Sequence, residues 1–388
     1  MNIVRSQGMD LDTFSQLLES VRRFVRERLV PAEQAVAEAD AIPPELVQEM
    51  REMGLFGLSI PEEFGGLGLT MEEEVRVVLE LGWTSPAFRS IFGTNVGIGS
   101  QGILMDGTEA QKHRYLPRLA SGEIIGSFAL TEPEAGSDAR AVRTTARRDG
   151  DFYVINGTKR YITNAPEAGL FTLIARTGEA DGKPIISAFI VEADTPGLRR
   201  GKPERKMGQQ GAHVCDVIFE DCRVPADALL GHAEGQGFET VRKVLSRGRL
   251  HIAALCVGLA ERLINESVNY AVTRRQFGRP IGEFQLVQAM LADSRTEAYA
   301  ARSMIIDAAR SLDLGVASVI DGSCCKLFAS EMIGRVADRA VQIFGGAGYM
   351  AEYGIERFYR DARLFRIYEG TSEIQRIIIG REMLREAV

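Results

Sequence analysis

Between two long regions of helical periodicity lies a stretch, Glu123 to Val224, with no helical pattern of crossover length. Its apolar runs are short and rich in β-formers: Ile124 to Leu130, Phe152 to Ile155, Phe171 to Ala175, Ile185 to Val191 and Val214 to Phe219. Turn signals at Asp149-Gly150, Asn156-Gly157 and Pro196-Gly197 separate them. Parallel strands need a crossover connection, most often a helix. The pattern therefore predicts an antiparallel sheet or small barrel and argues against a doubly wound sheet.

The flanks read differently. Phe14, Leu17, Leu18, Val21, Phe24, Val25 and Leu29 recur at helical spacing up to Pro31, which should end that helix. A second helix is expected from Pro43-Pro44 to Met53, capped by Gly54. Thr70 and Glu73 make a capping box ahead of Val75, Val77, Val78 and Leu81, and a helix from Arg89 to Leu104 follows. Beyond the β stretch, helical patterns run over roughly 237–273, 283–313 and 317–344, with a last one near 371–386. Such lengths with short links predict an antiparallel four-helix bundle. The chain is thus expected to be α+β, with an N-terminal helical domain over 1–122, a middle antiparallel β domain over 123–233 and a C-terminal helical bundle over 234–388.

Composition removes several function classes. A chain of 388 residues, 45% hydrophobic and 26% charged, is globular and long enough for more than one core. Its net charge of −7 gives no support to a nucleic-acid partner. No apolar run reaches the roughly 18 residues of a membrane span. Met1 to Asp10 has neither an apolar signal core nor an Arg-rich, acid-poor presequence. That predicts a cytoplasmic bacterial protein, or a mitochondrial matrix protein whose presequence has been removed. Cys215, Cys222, Cys256, Cys324 and Cys325 include no C-x-x-C pair and are expected to be reduced thiols. The histidines show no ligand spacing, so no metal site is expected. Gly97-Ile98-Gly99-Ser100-Gln101-Gly102 spells the dinucleotide fingerprint, but helical patterns flank it where a preceding strand is required. NAD is therefore not the expected cofactor.

Separated segments carry the candidate chemistry. Phe128 to Asp138 (F-A-L-T-E-P-E-A-G-S-D) leaves a strand for a loop of small and hydroxyl residues, which lets backbone N–H groups approach a planar heterocycle. Lys159 to Asn164 (K-R-Y-I-T-N) sets an aromatic face beside a hydroxyl. Near the C-terminus stand Gln342 to Tyr349 (Q-I-F-G-G-A-G-Y), Arg360-Asp361-Ala362-Arg363 and Ile367 to Arg376 (I-Y-E-G-T-S-E-I-Q-R). Glu369 falls among Ile367, Tyr368 and Gly370 at the expected start of a helix. In this order, and with Arg274 to Gly278 (R-R-Q-F-G), the segments resemble the acyl-CoA dehydrogenase family from about Pro61 to Arg376.

The resemblance implies FAD between the middle domain and the bundle. By motif position it places Phe128, Thr131, Ser137, Tyr161 and Thr163 around the flavin, Thr163 near N5, with Thr371 and Glu373 approaching from the C-terminal side. Arg274, Phe277, Gln342 and Gly346 would reach the pyrophosphate and adenosine end from a neighbouring subunit, so a homotetramer is implied. Gln276 departs from the commoner Thr or Ala of its motif. The implied reaction converts an acyl-CoA thioester to the trans-2-enoyl-CoA, in fatty acid or amino acid catabolism. Glu369 takes the α-proton and flavin N5 the β-hydride, with electron-transfer flavoprotein as electron acceptor. Ser137, Arg249 and Gly370 are implied on the substrate side. Relatives that carry the base on an earlier helix have it where this chain has Gly248, which leaves Glu369. Ser90 and Thr94 are expected to wall the acyl pocket. Gln210 and Ala212 depart from a common Arg and Ser, and His213 and Asp216 are read as strand-edge residues, not as a pair. An acyl-CoA oxidase-like flavoprotein and a non-catalytic flavin-binding protein on the same fold are the alternatives.

Overall fold

The structure, a computed structural model, describes residues 8–387. Of the segment from Met1 to Asp10, on which the reading of targeting signals rests, residues 1–7 lie outside the described residues. Seven helices come first: α1 (Leu11–Phe24), α2 (Val30–Ala39), α3 (Pro44–Glu52), α4 (Met71–Leu81), α5 (Pro86–Val96), α6 (Gln101–Asp106) and α7 (Glu109–Ala120). Strands follow: β1 (Gly126–Ala129), β2 (Thr145–Asp149), β3 (Phe152–Thr163), β4 (Leu170–Ala180), β5 (Lys183–Glu192), β6 (Leu198–Arg200) and β7 (Val214–Pro225). Then come α8 (Gly237–Thr273), the small hairpin β8 (Arg275–Gln276) and β9 (Arg279–Pro280), α9 (Gln285–Asp313) and α10 (Asp321–Phe344). The short α11 (Gly346–Tyr349), α12 (Ile355–Arg363) and α13 (Ser372–Glu386) close the chain. The protein therefore has helical N- and C-terminal parts around a central β-sheet, the α+β arrangement expected.

The capping box of Thr70 and Glu73 is present at the head of α4, and Gly54 ends α3 at φ +72°. Pro31 does not end its helix. A π-helical turn over Val25–Leu29 links α1 to α2, and Pro31 falls in the first turn of α2, where a missing N–H does least harm. The expected helix from Arg89 to Leu104 is two, α5 and α6. They part at Gly97–Ser100, where Gly99 packs so close to Gly126 that a Cβ would stand 3.1 Å from the Gly126 carbonyl oxygen. Those glycines make a helix–strand contact, and helices flank them as expected of a spurious fingerprint.

The seven-stranded sheet runs β1-β4-β2-β3-β7-β6, with β5 paired to β4. The hairpins are antiparallel, as expected, but β1 joins β4 in parallel and a single parallel bridge links β2 to β4. β3 carries the chain back between the parallel β2 and β4, and the β2–β3 hairpin lies between β1 and β4 in the chain, so neither seam needs a crossover helix. β2 and β6 carried no sequence signal because most of their side chains face solvent.

In the bundle α8, α9 and α10 run up, down and up, so the C-terminal ends of α8 and α10 meet, where Tyr270 stacks on Phe344 at 4.1 Å between ring centroids. Helix α4 packs on the bundle through Met71, Val75, Val78 and Leu79. It crosses α8 where Gly82 meets Gly258, a contact so close that a Cβ on Gly82 would stand 2.9 Å from the Gly258 Cα. That approach lets polar side chains of α4 reach those of α8. Among the described residues all five cysteines are free, no cluster of possible metal ligands occurs, and no helix is long and apolar enough to cross a membrane.

Candidate active site

Glu369 sits in the turn between α12 and α13 with φ +53°, a left-handed conformation that disfavours a side chain and is held only by its surroundings. Three bonds fix it. Gln375 Nε2 donates to the carbonyls of Glu369 (3.0 Å) and Gly370 (3.1 Å), and Lys326 Nζ donates to Gly370 O at 2.7 Å. Thr371 caps α13 by accepting from the Ile374 N–H. The Glu369 N–H has no partner among the described residues, so it is free to donate.

The Glu369 carboxylate turns inward. Its Oε2 is sealed and has no hydrogen-bond partner. Gly248 on α8 makes the room, since a Cβ there would overlap the carboxylate. Burial raises the Glu369 pKa above the usual carboxylate range, and Arg89, Lys326 and Arg249 pull it back in that order. Arg249 is buried, and its Nη1 donates to Ser323 Oγ at 3.1 Å. Lys326 is fully buried, and that burial pushes its pKa down to about 8. Arg89 and Lys326 were not anticipated at the site. The available signal was a lone cation inside an otherwise apolar helical run, Ala87-Phe88-Arg89 and Leu327-Phe328 beside Lys326.

The second part of the site is built on the sheet. Glu132 and Lys159 form a buried ion pair at 2.6 Å, and Lys159 Nζ also donates to Leu130 O at 3.0 Å. Burial opposes the Glu132 charge, but Lys159 and the N–H groups of Arg143 and Thr144 prevail and hold it below the usual carboxylate range. The pair ties the loop bearing Thr131 to the strand bearing Tyr161 and Thr163, and Arg160 N–H donates to Thr131 O at 2.7 Å. Tyr161 takes φ +57° and turns its ring outward, 57% exposed. The hydroxyls of Thr131, Ser137 and Thr163 make no hydrogen bond to the described residues. An outward aromatic ring and three free hydroxyls make a surface that fits a planar, polar cofactor. Phe128 is instead buried in the core beneath this surface.

Thr94 is spent on structure: its Oγ1 accepts from Asn164 Nδ2 at 2.8 Å, which fastens α5 to the end of β3, and the Ser90 carbonyl accepts from the same amide. His213 contacts Glu167 and the Asp40 carbonyl, while Asp216 faces Arg160, so the two form no pair.

The remaining candidates stand apart. Gly248 is on α8, and Arg274 caps the C-terminal end of that helix about 39 Å further on at about 1.5 Å per residue. Arg274 and Phe277 therefore share one end of the bundle with Gln342 and Gly346, far from Glu369 of the same chain. Phe277 is 93% exposed at φ +52°. A cavity of about 770 Å³ lies elsewhere, lined by Thr108, Tyr115, Tyr153, Glu192 and Thr195, and no site candidate lines it.

The frame is helix, sheet, helix, with a buried carboxylate in the C-terminal part and a surface of unpartnered hydroxyls on the sheet, and comparison with known proteins gives its class. Residues 12–123, 127–222 and 235–384 match the acyl-CoA dehydrogenase N-terminal, middle and C-terminal domains. The chain is 44% identical to a probable acyl-CoA dehydrogenase of Bacillus subtilis, over 95% of this chain and 97% of that protein. It is also 44% identical to the acryloyl-CoA reductase (NADH) of Anaerotignum propionicum, over 95% and 94% of the two chains. An acyl-CoA dehydrogenase from Bacillus anthracis, solved with FAD, superposes with a TM-score of 0.90 at 36% identity, covering 97% of this chain and 68% of that one. The chain belongs to the acyl-CoA dehydrogenase family of FAD-dependent oxidoreductases.

Proposed function

We propose that this protein dehydrogenates an acyl-CoA thioester between its α- and β-carbons, with Glu369 as the base. The observation that carries the reading is the sealed, partnerless Glu369 Oε2 in a strained turn, with Gly248 of α8 leaving the room it fills. When bound, FAD accepts the β-hydride. Glu369 takes the α-proton, and the electron pair of that C–H bond becomes the new double bond. The free Glu369 N–H is placed to donate to a thioester carbonyl as charge develops on its oxygen. The raised pKa brings the base nearer working pH. Thr131, Ser137, Tyr161 and Thr163 would hold the flavin ring, with Thr371 and Glu373 beside them, and Ser137, Arg249 and Gly370 would line the substrate path.

The distance along α8 supports a shared site, in which Arg274, Phe277, Gln342 and Gly346 serve a neighbouring copy in a homotetramer. Electron-transfer flavoprotein is the expected electron acceptor. Likeness to a reductase favours a second direction, reduction of an enoyl-CoA by the same groups run backwards. Anaerobic titration of flavin absorbance with acyl-CoA thioesters of graded length and branching tests the reading: one subset should bleach the wild type, and Glu369→Gln should stay yellow. A reduced enzyme reoxidised by an enoyl-CoA would support the reverse direction. Bleaching that survives Glu369→Gln would remove Glu369 from the mechanism.

A further inference from the structure

Four polar side chains from three helices are joined in sequence: Arg89 on α5, His251 on α8, Glu74 on α4 and Arg247 on α8. Arg89 Nη2 lies 3.1 Å from His251 Nδ1, and His251 Nε2 lies 2.8 Å from Glu74 Oε2. The other Glu74 oxygen pairs with Arg247, whose side chain is partly exposed. Arg89, His251 and Glu74 are all buried. A guanidinium has donors only, so His251 Nδ1 must be the acceptor. The ring proton then sits on Nε2 and is donated to Glu74. His251 is a neutral imidazole in one fixed tautomer. Burial is the main force keeping it neutral; Glu74 pulls the other way, and Arg89 and Arg247 oppose Glu74.

The contact with His251 is the one hydrogen bond Arg89 makes among the described residues, and its Nε is sealed without a partner. Gly93, one turn along α5, leaves the space the guanidinium occupies, because a Cβ there would overlap it. Two glycines thus clear the site, Gly93 for Arg89 and Gly248 for Glu369. The charges that act on Glu369 are those of Arg89 on α5, Lys326 on α10 and Arg249 on α8, with Tyr368 beside it in the turn. Those facing His251 are Arg89, Glu74 from α4 and Arg247 from α8. Lys326 is committed to the Gly370 carbonyl and Arg249 to Ser323. Arg89 alone among the three cations has no oxygen partner.

Building on the reading of Glu369 as the base, we propose that Arg89 is its positioning residue, aimed by the Glu74–His251 pair so that Glu369 stands ready as a carboxylate. The chain acts as a strut: Arg247 fixes Glu74, Glu74 fixes the His251 tautomer, and His251 turns the Arg89 fork. None of the four touches the reacting carbons in this scheme.

The test follows the pH at which Glu369 loses its proton, in two ways. The rate of anaerobic bleaching is measured against pH with a thioester that the wild type accepts. In the same FAD-loaded enzyme at rest, infrared titration follows the protonated-carboxyl band that Glu369→Gln deletes. Arg89→Gln should raise both midpoints by about one pH unit or more, because loss of a nearby cation disfavours the carboxylate. Activity would then fall away at a higher pH on the acid side. His251→Leu, with Arg89 intact, should shift the midpoints the same way. His251→Asn, whose amide oxygen offers an acceptor in place of Nδ1, should bring them back towards wild type. Wild-type midpoints in folded, flavin-loaded Arg89→Gln or His251→Leu would overturn the proposal. If Arg89→Gln does not fold, Arg89→Lys keeps the charge and loses the fork: an upward shift supports the strut and an unchanged midpoint refutes it. Bleaching that persists in Glu369→Gln instead overturns the base assignment, whatever the midpoints.

Discussion

A single methyl group placed at Gly248 should slow catalysis without weakening the fold. An added Cβ would stand 3.1 Å from Glu369 Cδ, closer than the roughly 3.5–4.0 Å that carbon atoms prefer. The carboxylate must then retreat by about 0.5–1 Å. Misplacement of a reacting group by about 1 Å can cost on the order of 10²-fold in rate, or roughly 2.7 kcal/mol of barrier. Gly248 lies in the interior of α8, where alanine is intrinsically favoured over glycine by up to about 1 kcal/mol. Gly248→Ala is therefore expected to melt at or above the wild-type temperature while its first-order bleaching rate falls by about 10- to 100-fold. Stopped-flow absorbance with a good thioester substrate, beside a thermal melt of the same preparation, reads both quantities. A variant that bleaches at the wild-type rate would refute the inward placement of the Glu369 carboxylate against α8.

Glu369→Gln should lower the bleaching rate by about 10²- to 10⁴-fold with flavin content unchanged, as measured by stopped-flow absorbance. Lys159→Met would leave Glu132 charged, buried and unpaired, a loss of about 3–5 kcal/mol, and should show as a lower melting temperature and weaker flavin retention. Thr371→Ala removes the cap of α13 at a cost of about 1 kcal/mol and should lower both chemical stability and bleaching rate, since the same turn holds Glu369. Phe277→Asp should break the proposed assembly, and sedimentation velocity would show smaller particles than the wild type gives.

The helical ends and the β centre were legible because their periodicities differ and because caps such as Thr70 with Glu73 and Gly54 mark element ends locally. Pro31 misled because it falls in the first turn of α2, just after a π-helical turn through which the helix continues. β2 escaped notice because its polar side chains face water and only its backbone joins the sheet. The glutamate was legible through its motif. Its electrostatic surroundings were not, since Arg89, His251, Glu74 and Lys326 come from four helices that only the Gly82–Gly258 crossing and the bundle bring together. A polar side chain entering an apolar helical run, as in Leu250-His251-Ile252, was the trace they left.

The glycine-lined approaches in the helices sort this chain for thermal engineering. Replacing helical glycine by alanine is a common stabilising step, with a gain of about 0.5–1 kcal/mol where space allows. Gly380 has no atom within 4 Å of a new Cβ, and Gly334 meets only the Arg366 side chain at 3.5 Å. Both positions should accept the change. Gly93, Gly248 and Gly258 would meet a guanidinium, a carboxylate and a neighbouring helix backbone. A library that treated all helical glycines alike would therefore stiffen α10 and α13 and crowd the proposed reaction centre in the same round, and hardening without loss of function requires leaving those three gaps open.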